Sequence, residues 1–161
     1  MNEILLAQIE NYLQDNYVNP ADIKYSFLGR ETWSSRLKRR IEAFIDSVVE
    51  DSFTERLKKL IQAKGKTDVE VYKKAHLDRR LFSKIRTDKK YKPSEKTAVA
   101  LAIALELDIT ETQDLLQRAG YYLSVTSKED LIIRYFIEHQ EYDLFLINEV
   151  LYHYGFKPLG G

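Results

Sequence analysis

Two adjacent arginines, Arg79 and Arg80, and a lysine one turn further on, Lys84, lie in the stretch AHLDRRLFSKIR, residues 75–86. Ser83 and Arg86 share the stretch with them, and Leu81, Phe82 and Ile85 supply its apolar positions. Lys89, Lys90 and Lys92 follow within a few residues. A guanidinium group donates as a fork that fits the O6 and N7 acceptors of guanine, and Arg and Lys both suit phosphate oxygens. The chemistry open to such a set is recognition of an anion. Three readings remain open at this point: a nucleic-acid surface, a docking site for an acidic protein, or a solvated helix face.

The distribution of charge bears on that choice. The formal net charge is zero, yet residues 64–96 hold 12 Lys/Arg against 5 Asp/Glu, and residues 97–161 hold 4 against 10. A basic middle between a neutral and an acidic flank points to a polyanionic partner or to surface charge alone. Catalytic groupings do not assemble. His76, His139 and His153 are scattered, with no Glu-x-x-His pair and no second ligand at i+4, so a metal is not expected. Asp78 near His76 reads as a capping carboxylate rather than an acid/base pair. No Gly-rich phosphate loop and no nucleophile elbow is found. The expectation is a non-enzymatic protein without a cofactor.

There is no cysteine, which excludes disulfides and thiolate sites and fits a reducing cytosol. No apolar run approaches the ~20 residues of a membrane span. The opening stretch, MNEILLAQIENYLQDNY, has acids where a signal peptide is basic. A cytoplasmic protein with no membrane association is expected. Charged residues at 31% and hydrophobic residues at 44% fit a globular chain.

The elements that position the basic stretch read as helical nearly throughout. Ile4, Leu5, Ile9, Tyr12 and Leu13 predict a helix over 3–17, and Pro20 and Gly29 punctuate a linker after it. Trp33, Leu37, Ile41, Phe44, Ile45, Val48 and Val49 form a second apolar stripe, with Arg36, Lys38, Arg39 and Arg40 around it. Ser52 caps a third helix that ends at Gly65. Thr67 with Glu70 is a capping box opening a helix of about two turns, and Asp78 is placed to cap the next. Pro93 suits the first turn of a further helix, rich in Ala98, Ala100, Ala102 and Ala104. Thr110 with Gln113 reads as another capping box, and Ser127 with Asp130 as a further cap. A last helix runs from about Asp143 to Tyr154. No strand-like alternation and no internal repeat appears. The fold class is all-α, a compact multi-helix bundle of about eight helices.

The run DVEVYKKAHLDRRLFSKIRTDKKYKPSEKTAVALAIALELDITETQDLL resembles the lambda-repressor-like (phage repressor type) helix-turn-helix family, over roughly residues 53–120. Val71, Leu77, Phe82 and Ile85 fall where that family places core residues. FSKI stands at its apolar–Ser–basic–apolar motif, and TAVALAIALEL and DITETQDLL match its last two helices. The resemblance implies a second helix over 68–75 and a recognition helix over about 79–86. It implies base-facing positions at Arg79, Arg80 and Lys84, flanked by Ser83 and Arg86, with phosphate contacts at Lys89, Lys90 and Lys92. Tyr72 stands where the family has a small residue, which would crowd the helix crossing unless the helices splay. His76 stands where the family has a turn glycine at φ > 0. Asp78 places a carboxylate where phosphate approaches.

A second resemblance covers about 53–160. That stretch is similar to a helical domain found C-terminal to macrodomains in some bacterial proteins, which carries no assigned activity. Three segments follow: an N-terminal helical extension over 1–50, a helix-turn-helix core over 51–124, and a C-terminal helical pair over 125–161 packed on the core. The leading expectation is a transcription regulator binding double-stranded DNA. The alternative is a helical protein–protein adaptor in a defence or stress system that keeps the scaffold without reading DNA. The protein partner would meet either the basic face or the Tyr-rich end, with Tyr121, Tyr122, Tyr135, Tyr142, Tyr152 and Tyr154. Helices over 1–50 are too short to stand alone and must pack, and pairing with a second copy in a homodimer is expected.

Overall fold

A computed structural model describes residues 2–22, 35–48 and 51–161. Among them are nine α-helices, one more than expected, a short 3-10 turn at Pro20–Asp22, and no strand. In chain order they are α1 (Glu3–Asn16), α2 (Ser35–Val48), α3 (Phe53–Ala63), α4 (Asp68–Lys74), α5 (Arg79–Thr87), α6 (Glu95–Ala104), α7 (Ile109–Gln117), α8 (Lys128–Glu138) and α9 (Leu144–His153). Trp33 and Val49, assigned to the second apolar stripe, lie outside the described residues. No helix among the described residues is long and apolar enough to cross a membrane.

Local chemistry sets most helix starts. Ser52 Oγ accepts from the Glu55 amide at 3.3 Å and Glu55 answers to the Ser52 amide at 3.0 Å, a full capping box. Thr67 and Glu70 do the same for α4. Ser127 and Asp143 cap α8 and α9. Two expected starts move. The box of α7 is Asp108 with Glu111, not Thr110 with Gln113. A carboxylate at the positive end of the helix dipole is the stronger cap, and it lies two residues upstream. Gln113 is then released to tie Leu123 by two bonds, at 3.1 and 3.0 Å. Likewise Ser94 caps α6, so Pro93 precedes the helix instead of entering its first turn.

Helix α6 is the centre: Thr97 to Ala104 are all buried. Its alanines let neighbours approach closely, and α4, α7 and α9 pack on it. Helix α5 is seated mainly against α3. Phe82 and Ile85 are buried there, and the Thr54 hydroxyl donates to the Ile85 carbonyl at 2.7 Å. That bond satisfies a carbonyl at the end of α5 which lacks a helical partner.

The expectation that the N-terminal helices pair with a second copy is corrected for α1, which packs on the chain's own α8. Ile9 and Leu13 are buried, the Tyr12 ring meets Tyr135 edge-on at 5.3 Å, and the Tyr12 hydroxyl donates to Glu138 at 2.9 Å. A hydrophobic stripe covered within the chain needs no partner copy. Helix α2 differs: none of residues 35–45 is buried, and Ile45 is 47% exposed.

Asp130 carries a pH-dependent stability term. Burial pushes its carboxyl up to about 6, despite a bond from the Ser124 amide. The folded state therefore holds this proton to higher pH than the unfolded chain does. Stability from this group is highest below the ordinary carboxylate range and falls as pH rises towards 6. Melting of Asp130→Asn beside the native chain from pH 4 to 7 should show the native chain losing ground between about 4 and 6. A pH-independent difference would refute the assignment.

Candidate nucleic-acid interface

The link between α4 and α5 is set by how α4 ends. The Leu77 amide donates to the Tyr72 carbonyl at 2.9 Å and the His76 amide to Lys73 at 3.1 Å. This is the Schellman pattern, and it requires a left-handed residue, here His76 at φ +52. Histidine meets the turn requirement that glycine meets at less cost. Two contacts hold it there. The His76 ring lies 4.5 Å from that of Phe145, and residues 160–161 close over the turn. Gly160, at φ +110, passes so near that a Cβ would meet the Ala75 carbonyl oxygen at 3.2 Å.

Asp78 occupies the N-cap position of α5 in extended backbone but makes no side-chain cap bond, against expectation. Its carboxylate is exposed to solvent.

On α5, Arg79, Arg80, Ser83, Lys84 and Thr87 are exposed, while Phe82 and Ile85 are buried. The exposed positions follow i, i+1, i+4, i+5 and i+8, so they lie on one face. Arg79 and Arg80 have no ion-pair partner among the described residues. Lys84 Nζ lies 4.5 Å from the Tyr91 ring centre, and Lys92 Nζ 4.8 Å from that of Tyr121. Lys90 and Lys92 are exposed in the following loop.

Two of the expected contacts are engaged inside the molecule. Arg86 is half-buried, with Nε 3.1 Å from an Asp68 carboxylate oxygen. Lys89 Nζ lies 2.6 Å from Glu55 Oε1. The hydrogen bond from Lys89, with the Ser52 amide, pulls the Glu55 carboxyl down to about 2. The Glu55 bond in turn raises the Lys89 ammonium.

The crowding expected at Tyr72 takes the form of a groove. Tyr72 is half-buried, its ring centre 5.7 Å from that of Phe82. Above the pair a groove of about 630 Å³ opens between α4 and α5. Val69 lines one wall and Arg79, Ser83 and Arg86 the other, with Lys58 reaching in from α3. Sequence reasoning missed Lys58, Asp68 and Val69, since only the packing of three helices brings them together.

The histidines stay apart. His139 bonds and stacks on Tyr135, and His153 meets Tyr154 edge-on. Among the described residues no three His, Cys, Asp or Glu side chains are grouped to hold a metal ion. The chain matches no protein-family model, no curated protein and no solved structure. The arrangement is an exposed cationic helix face beside a part-apolar groove.

Tyr72→Ala should expose Phe82 and loosen the seat of α5. The expected loss is about 2 kcal/mol in urea unfolding, scaled from burial of part of an aromatic ring. A loss near zero would show that the Tyr72–Phe82 pair does not hold the two helices.

Proposed function

We propose that this chain binds double-stranded DNA and acts as a transcription regulator, with α4 and α5 working as a helix-turn-helix. The observation that carries this is the exposed face of α5, where Arg79 and Arg80, unpaired among the described residues, stand beside Ser83 and Lys84. An arginine pair at the start of such a helix, with Lys84 one turn further on, suits base edges in the major groove, and Lys90 and Lys92 suit the phosphates alongside. Arg86 and Lys89 take lesser parts, because each already neutralises a carboxylate.

Two copies on a two-fold site would suit this reading. We assign the pairing to the apolar stripe of α2, where Ile41 and Ile45 lie one turn apart.

Binding of a duplex of about 25 base pairs should fall steeply with salt, with a log–log slope of about −4 if five cations each displace a counterion. Arg79→Glu with Arg80→Glu should abolish it, while Lys89→Glu should weaken it far less. If no duplex is retarded at about 50 mM salt, the reading is wrong and α5 serves a protein partner instead. For pairing, light scattering at tens of micromolar should give the dimer mass for the native chain and the monomer mass for Ile45→Glu. A monomeric native chain sinks the α2 assignment but leaves duplex binding to be judged by its own titration.

A further inference from the structure

We infer that the groove between α4 and α5 is a docking site for an acidic segment of a protein partner, which inserts a large apolar side chain against Tyr72. The groove combines two chemistries that a simple anion does not match. Its floor is Tyr72 over Phe82, and Val69 on the wall is 47% exposed, an apolar side chain facing solvent. Covering it is favourable for an apolar ligand group and does nothing for a bare phosphate.

The rim supplies positive charge from two helices. Among the described residues, Lys58 on α3 and Arg79 on α5 have no carboxylate partner. Arg86 engages Asp68 through Nε, so its terminal nitrogens can still meet a second carboxylate. Three cations face one acid across a groove of about 630 Å³, room for several side chains rather than one ion. The fitting ligand carries carboxylates and a bulky apolar group together.

The start of α4 separates a peptide from a nucleic acid. Asp68 and Glu70 stand in its first turn, and Glu70 accepts from the Thr67 amide at 2.7 Å and from its hydroxyl at 2.9 Å. A polyanion with a charge at every residue would run against these carboxylates. A peptide places its acids only where Lys58, Arg79 and Arg86 stand. The groove does not depend on duplex binding, although it shares Arg79 and Ser83 with the α5 face. A docked segment and a duplex would therefore exclude one another.

The test is a selection of random peptides of about 12 residues on the full chain, followed by anisotropy with a labelled peptide of the selected sequence. The expected consensus joins Asp or Glu to Trp, Phe or Leu. Val69→Asp and Lys58→Glu should each weaken the labelled peptide about tenfold or more, whereas Arg39→Glu on α2 should change it by less than about twofold. Both groove substitutions lie at exposed positions, and circular dichroism should show both variants as helical as the native chain. Selection without an acidic–apolar consensus overturns the inference, as does a selected peptide that binds both groove variants as tightly as the native chain. A single-stranded dT oligonucleotide held by the native chain and lost by both variants, with no peptide consensus, would assign the groove to nucleic acid and also overturn it.

Discussion

From Thr97 to Ala104 helix α6 has no side facing water, and the rest of the molecule is arranged to keep it dry. A helix that is apolar all round must be covered by other elements. Its run of buried residues from Thr97 to Ala104 is met by α4, α7 and α9, and the alanines set how near they come. That arrangement leaves α5 one layer further out. It holds to the body through Phe82, Ile85 and the Thr54 bond, and its other face is left to solvent. The central packing thus determines that the arginine-bearing helix is peripheral.

The uneven charge of the sequence folds back on itself. Cations of the basic middle are met by acids from the flanks: Lys64 by Glu111, Lys74 by Glu106, Lys96 by Glu129 and Lys89 by Glu55. Each such pair is a surface contact of small energy. Their collective effect is on distribution. Among the described residues of the basic middle, the cations left without a carboxylate are Lys73 on α4 and Arg79, Arg80, Lys84, Lys90 and Lys92, five of the six on α5 and the loop after it, which concentrates the local field there.

Much of the helical order was legible because its signals are local. Ser52, Thr67, Ser127 and Asp143 act within three residues of themselves, and a sequence displays such spacings directly. The left-handed turn at His76 was legible from position. Failures arose where two local signals compete or where a partner is remote. Asp108 outcompetes Thr110 as a charged acceptor, and the Gln113 side chain reaches out of α7 to tie the Leu123 backbone. Arg86 finds Asp68 18 residues away, and Lys89 finds Glu55 34 residues away, separations that no pattern on one helix reveals. For the same reason the arginine face was visible in the sequence and the groove beside it was not.

Residues 159–161 make that turn dependent on distant chain. Leu159 is buried and tied to Asn148 at 2.7 Å, and Gly160 and Gly161 rest on His76, Leu77 and Leu81. During synthesis α4 and α5 emerge long before the segment that covers their junction. The junction can form early, but it is covered only when α9 and the residues after it have been made. The orientation of α5 is completed in the same late step that closes the far end of the molecule.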